Sequence, residues 1–321
     1  MYAPLTAVVV NPVKVPDLER LRRTITDTFG AAGWPAPMWL ETTVEDPGAG
    51  QAAAAARAGA EIVLVCGGDG TVMACVTALA GTGVAMAVLP AGTGNLLAAN
   101  LGLTGDLATG LAVVLQGGRR LIDVGTAGDQ SFAVMAGMGF DAHMLHATNA
   151  TAKKHIGWLA YLGGAARHLR GRPMRLRITL DDRPAFRRRA RSVIVGNVGR
   201  LQGGMRLLHD AKPDDGLLDI AILSPRTLWH WATLGGGLLL RRRRVARMEI
   251  LTATRIDIRS DREHPRQLDG DLIESGKHLL ITVRPRALLL CVPQPDTDPD
   301  LAHDAAGVAR EADRLWATAS A

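Results

Sequence analysis

Of the 321 residues only three are cysteine, five are lysine and 4% are aromatic, and each shortage removes a class of protein. Cys66, Cys75 and Cys291 are an odd number in apolar surroundings, with no disulfide framework and no zinc-ligand spacing, so they read as reduced core residues. Few aromatics leave the arginine runs without the interleaved rings that a single-strand nucleic-acid platform needs, and no nucleic-acid partner is expected. No stretch comes near the roughly 18 apolar residues that cross a bilayer. The N-terminus lacks a basic segment followed by an apolar core, so no secretory signal is expected. Together these absences predict a cytoplasmic protein that touches the inner face of a membrane only peripherally. There is no Gly-x-x-x-x-Gly-Lys-Ser/Thr segment and no Gly-x-Gly-x-x-Gly, which disfavours a P-loop and an ordinary dinucleotide fingerprint. No internal repeat is present.

What is there is a chain that is 47% hydrophobic, long enough for two domains and able to bury a substantial core. A net charge of +6 and a pI near 9.7 suit a polyanionic partner: nucleotide phosphates or an anionic membrane surface. The excess is nearly all arginine, which a GC-rich genome would also produce.

The stretch from Ile62 to Thr71 organises the rest. Ile62 to Cys66 is a short continuous apolar run, the pattern of a strand covered on both faces. It runs into Gly67-Gly68-Asp69-Gly70-Thr71, and Val72 to Ala80 follows as a buried helix ending at Gly81. Glycines let backbone N–H groups approach a ligand and a helix start favours an anion, so the natural guest is a phosphate. The plainer alternative is a tight turn with an Asp cap. Met86 to Leu89 and Pro90-Ala91-Gly92-Thr93-Gly94-Asn95 repeat the logic, and two such loops at neighbouring strand ends would form a nucleotide crevice.

In chain order, Leu5 to Val10 reads as a strand broken at Asn11-Pro12, and Asp17 to Phe29 as a helix capped by Asp17. Met38 to Glu41 reads as a strand closed by Thr42 and Thr43, and Gln51 to Ala58 as a helix. Leu96 to Leu101 and Asp106 to Leu115 look helical, and Asp123 ends a strand from Arg120 to Val124. From about residue 126 the pattern changes to strands broken by turns: Ser131 to Ala136, Arg175 to Leu180, Arg189 to Val195, Leu217 to Leu223, Met248 to Arg259, His278 to Val283 and Ala287 to Val292. Their alternation predicts a β-sandwich. Helices are expected from Lys153 to Leu169 and from Arg226 to about Arg242, then a linker from Pro293 to Pro299 and a helix from Leu301 to Trp316 that docks on the first domain.

Two Asp-Gly segments are ordinary turns by composition: Asp214-Asp215-Gly216, and Asp269-Gly270-Asp271 in a hairpin. The stretch Leu228 to Leu240 holds two tryptophans and ends in Arg241-Arg242-Arg243-Arg244, which suits an anionic membrane surface or a solvated charge run. Arg187-Arg188-Arg189 and Arg191 form a second basic cluster with the same two readings.

The ordered set Asn11-Pro12, Gly67 to Thr71, Pro90 to Asn95, Gly139-Phe140-Asp141, Asp214 to Asp219 and Asp269-Gly270-Asp271 resembles the diacylglycerol kinase catalytic-domain family. The resemblance is to its bacterial soluble lipid-kinase branch, related to sphingosine kinases and more distantly to NAD kinases, and it covers most of the chain. It implies a Rossmann-like nucleotide-binding domain over 1–125, a β-sandwich lipid-binding domain over 126–292, and a tail over 293–321. It implies ATP and Mg²⁺ as cofactors and a diacylglycerol-like lipid as acceptor. ATP would be held by Asn11, Pro12, Thr43 (with Thr42 as the rival register), Gly67, Gly68, Asp69, Gly70, Thr71, Gly92, Thr93 and Asn95. Asp69 would serve catalytic Mg²⁺, with Asp123 either a second carboxylate for it or a mere turn residue, because the family often has Asp where this chain has Leu96. Asp215 with the carbonyls of Lys212 and Leu217 would hold a structural Mg²⁺. The proton acceptor would be Asp271, where the family has Glu, or Asp269. Rival readings are an NAD kinase and a catalytically weak, membrane-associated nucleotide-binding protein; oligomeric state stays open.

Overall fold

The computed structural model describes residues 3–90, 95–100, 107–116, 118–139, 172–199, 207–225, 227–239 and 245–293. It divides into two compact units. The first runs to Val124 and takes up the chain again at Arg286, and the second is Gly125–Pro285.

The first unit alternates strand and helix: β1 (Thr6–Val10), α1 (Leu18–Ala31), β2 (Met38–Glu41), α2 (Ala49–Arg57), β3 (Ile62–Gly67), α3 (Asp69–Leu79), β4 (Ala85–Pro90), α4 (Leu96–Asn100) and α5 (Leu107–Gln116). Every residue of β1 and β3 is buried, so the continuous apolar runs are strands covered on both faces. Asp17 caps α1 by accepting from Arg20 N at 2.8 Å, and Ile25 and Phe29, four apart, turn one face inward. The strands pair in parallel in the order β4-β3-β1-β2, with Val8 opposite both Leu64 and Trp39. The chain moves outward from β1 to β2 on one side and from β3 to β4 on the other. The order therefore reverses between β1 and β3, and ligands bind outside the carboxyl ends of strands at such a point. Helix α3 starts at Asp69 rather than Val72, because Asp at the first helical position suits the helix dipole although its composition resembles a loop.

The second unit is antiparallel, with β5 (Arg119–Ala127) and β14 (Asp271–Cys291) carrying the chain across the unit boundaries. Between them lie β6 (Gln130–Phe132), β7 (Met135–Gly139), β8 (Met174–Leu180), β9 (Phe186–Ala190), β10 (Ser192–Gly196), β11 (Leu218–Leu223), helix α6 (Leu228–Leu239), β12 (Met248–Ala253) and β13 (Arg255–Leu268). Strand order is β12-β11-β10-β7-β13-β14, with β8 on β13 and β9 on β8. Three expected strands are each two. Ser131 to Ala136 breaks at Ala133-Val134, whose amides turn to a side chain described below. Arg189 to Val195 breaks at Arg191, where the partner changes from β8 to β7 and β11. Met248 to Arg259 breaks at Thr254, whose N and Oγ1 both donate to Asp181 Oδ1 at 2.9 and 2.6 Å.

Conversely, two expected strands are one. β14 runs through Pro285, pairing with β13 as far as Thr282 and with β4 at Leu289 and Leu290. The end of β14, from Arg286 to Cys291, therefore joins the first unit's parallel sheet. Phe140, Asp141, the helix expected over 153–169, Arg241 to Arg244 and the tail from 294 lie outside the described residues. Cys66 and Cys291 are fully buried free thiols, pushed by that burial to about 12 and about 11. No helix among the described residues is long and apolar enough to cross a membrane.

Candidate active site

At the switch point, Asn11 leaves β1 and ties it to β3. Its backbone N donates to Cys66 O at 2.9 Å, its Oδ1 accepts from Val13 N at 3.1 Å, and its Nδ2 lies 3.4 Å from Thr71 Oγ1. Thr71 in turn leans on Gly67. A Cβ there would meet Thr71 Cβ at 2.7 Å and its Cγ2 and Oγ1 at 2.8 Å, so Gly67 is glycine because the first turn of α3 packs against it.

Gly68 is different. Its φ of −83° and ψ of −176° are open to any residue, and an added Cβ would meet nothing within 4 Å. Neither conformation nor packing accounts for a glycine there, whereas close approach of a ligand would. No side chain caps α3, whose first turn presents backbone N–H groups and the positive end of its dipole on this side.

Asp69 ties this turn to the next loop: its Oδ1 accepts from Leu96 N at 2.8 Å. The side chain of Leu96 is buried in the core, so the position contributes an amide where the family has a carboxylate. Asn95 caps α4 by accepting from Ala98 N at 2.8 Å, and its Nδ2 is buried with no hydrogen-bond partner among the described residues. A buried donor left unpaired costs about 1–3 kcal/mol, which an oxygen-rich ligand would recover. Gly92 and Thr93 lie outside the described residues.

Thr42 is buried and its N donates to Val10 O at 2.9 Å, so it belongs to the sheet. Thr43 is exposed, with Oγ1 accepting from Asp46 N at 3.1 Å, and it is the threonine that presents its hydroxyl outward. Asp123 does not end its strand. It sits inside β5, fully buried, and its Oδ1 accepts from Arg286 N at 2.7 Å, where Arg286 has φ +49°. This carboxylate anchors the return of the chain into the first unit, a duty that accounts for it without a metal.

In the second unit, Asp269 and Gly270 have φ of +47° and +96°, and Leu268 pairs with Asp271. That is the two-residue Asp-Gly hairpin expected from composition, but with arms far longer than the flanking segments suggested. Asp269 accepts three backbone amides, Ala133 at 2.8 Å on Oδ2 and Val134 and Met135 at 2.9 and 2.7 Å on Oδ1. Asn197 meets the same segment through its carbonyls, donating from N to Val134 O at 2.9 Å and from Nδ2 to Ala133 O at 3.0 Å. Both oxygens of Asp269 are thereby committed to fixing a loop, and Asp271 is the other carboxylate of the turn. Gln267, fully buried, accepts from Gly270 N at 2.8 Å and fixes the turn that presents Asp271. Neither Asn197 nor Gln267 could be singled out in the sequence, since each acts through backbone contacts that no motif marks.

Asp215 Oδ1 accepts from Leu217 N at 3.0 Å, an Asx turn through Gly216 at φ +74°. Burial, then the nearby charges of Asp215 and Asp210, push Asp219 up to about 6. A cation would relieve that repulsion, so the donor chemistry fits a hard metal. Among the described residues no three His, Cys, Asp or Glu side chains converge on one point, so a metal here would take its remaining oxygens from carbonyls such as those of Lys212 and Leu217.

Comparison with known proteins bears on both units. Residues 6–127 match the diacylglycerol kinase catalytic domain and residues 134–292 the YegS C-terminal NAD kinase beta sandwich-like domain. Over 249 residues the chain is 34% identical to a Pseudomonas putida protein named probable lipid kinase YegS-like, covering 75% of this chain and 80% of that one. The chain belongs to the diacylglycerol kinase catalytic-domain family. Its fold is shared with a diacylglycerol kinase from Bacillus anthracis, at a TM-score of 0.69 and 21% identity over 91% of this chain and 98% of that one. More distant is an NAD kinase from Archaeoglobus fulgidus solved in complex with ATP, at a TM-score of 0.51 and 10% identity, covering 93% of this chain and 99% of that one. Two relatives of this chain, at 35% and 34% identity, are matched over 56% and 80% of their own lengths.

Proposed function

We propose that this protein transfers the γ-phosphoryl group of ATP to a hydroxyl of diacylglycerol or a closely related neutral lipid. The observation that carries the reading is Gly68: open space over a permissive backbone, beside an uncapped helix start, where a phosphate needs room. Asn11, Thr43, Gly67, Gly68, Gly70, Thr71 and Asn95, with Gly92 and Thr93 on the neighbouring loop, bind the nucleotide. Asp69, fixed by Leu96 N, would hold Mg²⁺. The metal, when bound, neutralises charge on the transferring group. Asp271 takes the proton from the acceptor hydroxyl as its oxygen attacks the γ-phosphorus, and ADP departs. Catalysis of this kind rests on positioning and charge, and each turn is fixed within its own unit, Asp69 by Leu96 N and the turn before Asp271 by Gln267. Asp215, with the carbonyls of Lys212 and Leu217, holds a second, structural Mg²⁺.

Incubation of the pure protein with γ-labelled ATP, Mg²⁺ and, separately, diacylglycerol, sphingosine, undecaprenol and NAD tests the reading. Label in the diacylglycerol fraction supports it. Label in phosphorylated NAD alone, or in inorganic phosphate alone, sinks it.

A further inference from the structure

The second unit carries a face that neither candidate turn uses. β8 alternates Met174, Leu176, Ile178 and Leu180 inward with Arg175 and Arg177 outward. Its register sets Arg175 opposite Arg189 and Arg177 opposite Arg187 on β9. On the other side, Arg177 stands opposite Arg259 of β13, and Arg259 opposite His278 of β14. Opposed residues of an antiparallel pair share a face, with strands about 4.8 Å apart and alternate residues about 7 Å apart. Four exposed guanidinium groups are thereby rooted in one small rectangle, with a fifth beside it.

Directly opposed like charges weaken a sheet. Elsewhere the fold answers its arginines. Arg259 is bonded to Asp257 at 3.1 Å, and Arg188, which points to the other face, meets Glu249 at 2.7 and 2.8 Å. Arg175, Arg177, Arg187 and Arg189 make no ion pair among the described residues. Near these rows Asp257 is already engaged by Arg259, and Asp261 Oδ1 accepts from Arg175 N at 3.4 Å. Edge protection accounts for charge on β9, which among the described residues pairs only with β8. It does not account for Arg175 and Arg177, which lie on an interior strand.

We propose that this arginine face docks on the anionic surface of a lipid bilayer. The choice of a bilayer rests on the lipid-kinase reading above, and charge complementarity carries the rest: a regular, flat cationic lattice matches a surface with many phosphates and no fixed sequence. Apart from the imidazole of His278, the described rows through Arg175 and Arg177 hold no aromatic side chain on which a nucleic-acid base could stack.

The test is co-sedimentation of the full chain with phosphatidylcholine vesicles containing about one third phosphatidylglycerol, at about 0.1 M salt, where the screening length is near 10 Å. Wild type partitions onto these vesicles and not onto pure phosphatidylcholine. Arg175→Gln/Arg177→Gln/Arg187→Gln/Arg189→Gln loses partitioning by roughly several hundredfold, since each basic residue near an anionic surface is worth roughly fivefold. The four-lysine variant keeps most of the binding, and so does Arg20→Gln/Arg23→Gln/Arg57→Gln, which removes exposed charge from the first unit. Circular dichroism confirms that the glutamine variant is folded. Unchanged partitioning of that variant overturns the proposal, as does wild type that ignores the vesicles but binds mixed-sequence single-stranded DNA through the same arginines. Turnover on short-chain diacylglycerol in detergent is unaffected by the four substitutions, so absence of kinase activity in wild type would strike the proposed function and leave the docking result standing by itself.

Discussion

Two adjacent glycines should respond in opposite ways to the same methyl group. At Gly68 the backbone already lies where alanine is comfortable and the added Cβ meets nothing within 4 Å. Loss of unfolded-state freedom stabilises Gly68→Ala by roughly 0.4–1 kcal/mol. Alanine is a poorer N-cap than glycine by several tenths of a kcal/mol, which offsets most of that gain. Net stability should stay within about 1 kcal/mol of wild type, a shift in Tm of no more than about 4 °C. The methyl occupies the space assigned to a phosphate and displaces it by about 1.5 Å, one carbon–carbon bond, and misplacement on that scale costs on the order of a hundredfold in rate. Gly67→Ala drives the Cβ to 2.7 Å from Thr71 Cβ, and such overpacking costs about 1–3 kcal/mol, so its Tm should fall by several degrees. Thermal unfolding with titration of ATP and Mg²⁺, followed by label transfer, separates the two effects. A Gly68→Ala protein that is stable and binds and turns over ATP like wild type would refute the reasoning, because the open space would then not be where the phosphate lies.

Asp69→Asn keeps an acceptor for Leu96 N and removes only the charge, so folding should persist while label transfer falls at least a hundredfold; wild-type turnover would exclude Asp69 from holding the metal. Asp269→Asn leaves at least one of three buried amides facing an NH₂ group, at about 1–3 kcal/mol, and should lower Tm by several degrees, whereas Asp271→Ala should melt like wild type and lose turnover. The reverse pattern would return the base to Asp269. The folded-state value of about 6 for Asp219 lies above its ordinary 3.8, so the fold favours the protonated form, and that contribution is present below about pH 4 and lost as pH rises through 6. Relative to wild type, Asp219→Asn should gain stability between pH 4 and pH 7, with Mg²⁺ narrowing the gap by stabilising wild type; a pH-independent difference in Tm would discard the acidic-cluster explanation.

The parts of this molecule that were legible in sequence are those fixed by local chemistry. Ile62 to Thr71 announces a buried strand and a helix start because both signals are contiguous, and Asp17 marks a cap because capping acts over three residues. Asp-Gly at 269–270 announces its hairpin for the same reason. The role of Asp269 was hidden because its three partners lie 134 to 136 residues away. Gly67 and Gly68 look equivalent in a glycine cluster and are separated only by where Thr71 packs. β14 has the sequence pattern of two strands, His278 to Val283 and Ala287 to Val292, yet each half has its own partner strand to hold it extended through Pro285. The arginine lattice exists only once register sets β8 against β9.

Label transfer from γ-labelled ATP to diacylglycerol, measured side by side for wild type, Asp69→Asn and Asp271→Ala on one lipid preparation, tests the central claim most directly. Wild type should label the lipid, and each variant, folded by circular dichroism, should do so at least about a hundredfold more slowly. Wild type that labels no lipid, or both variants labelling it at the wild-type rate, would contradict the assignment of these two turns to phosphoryl transfer.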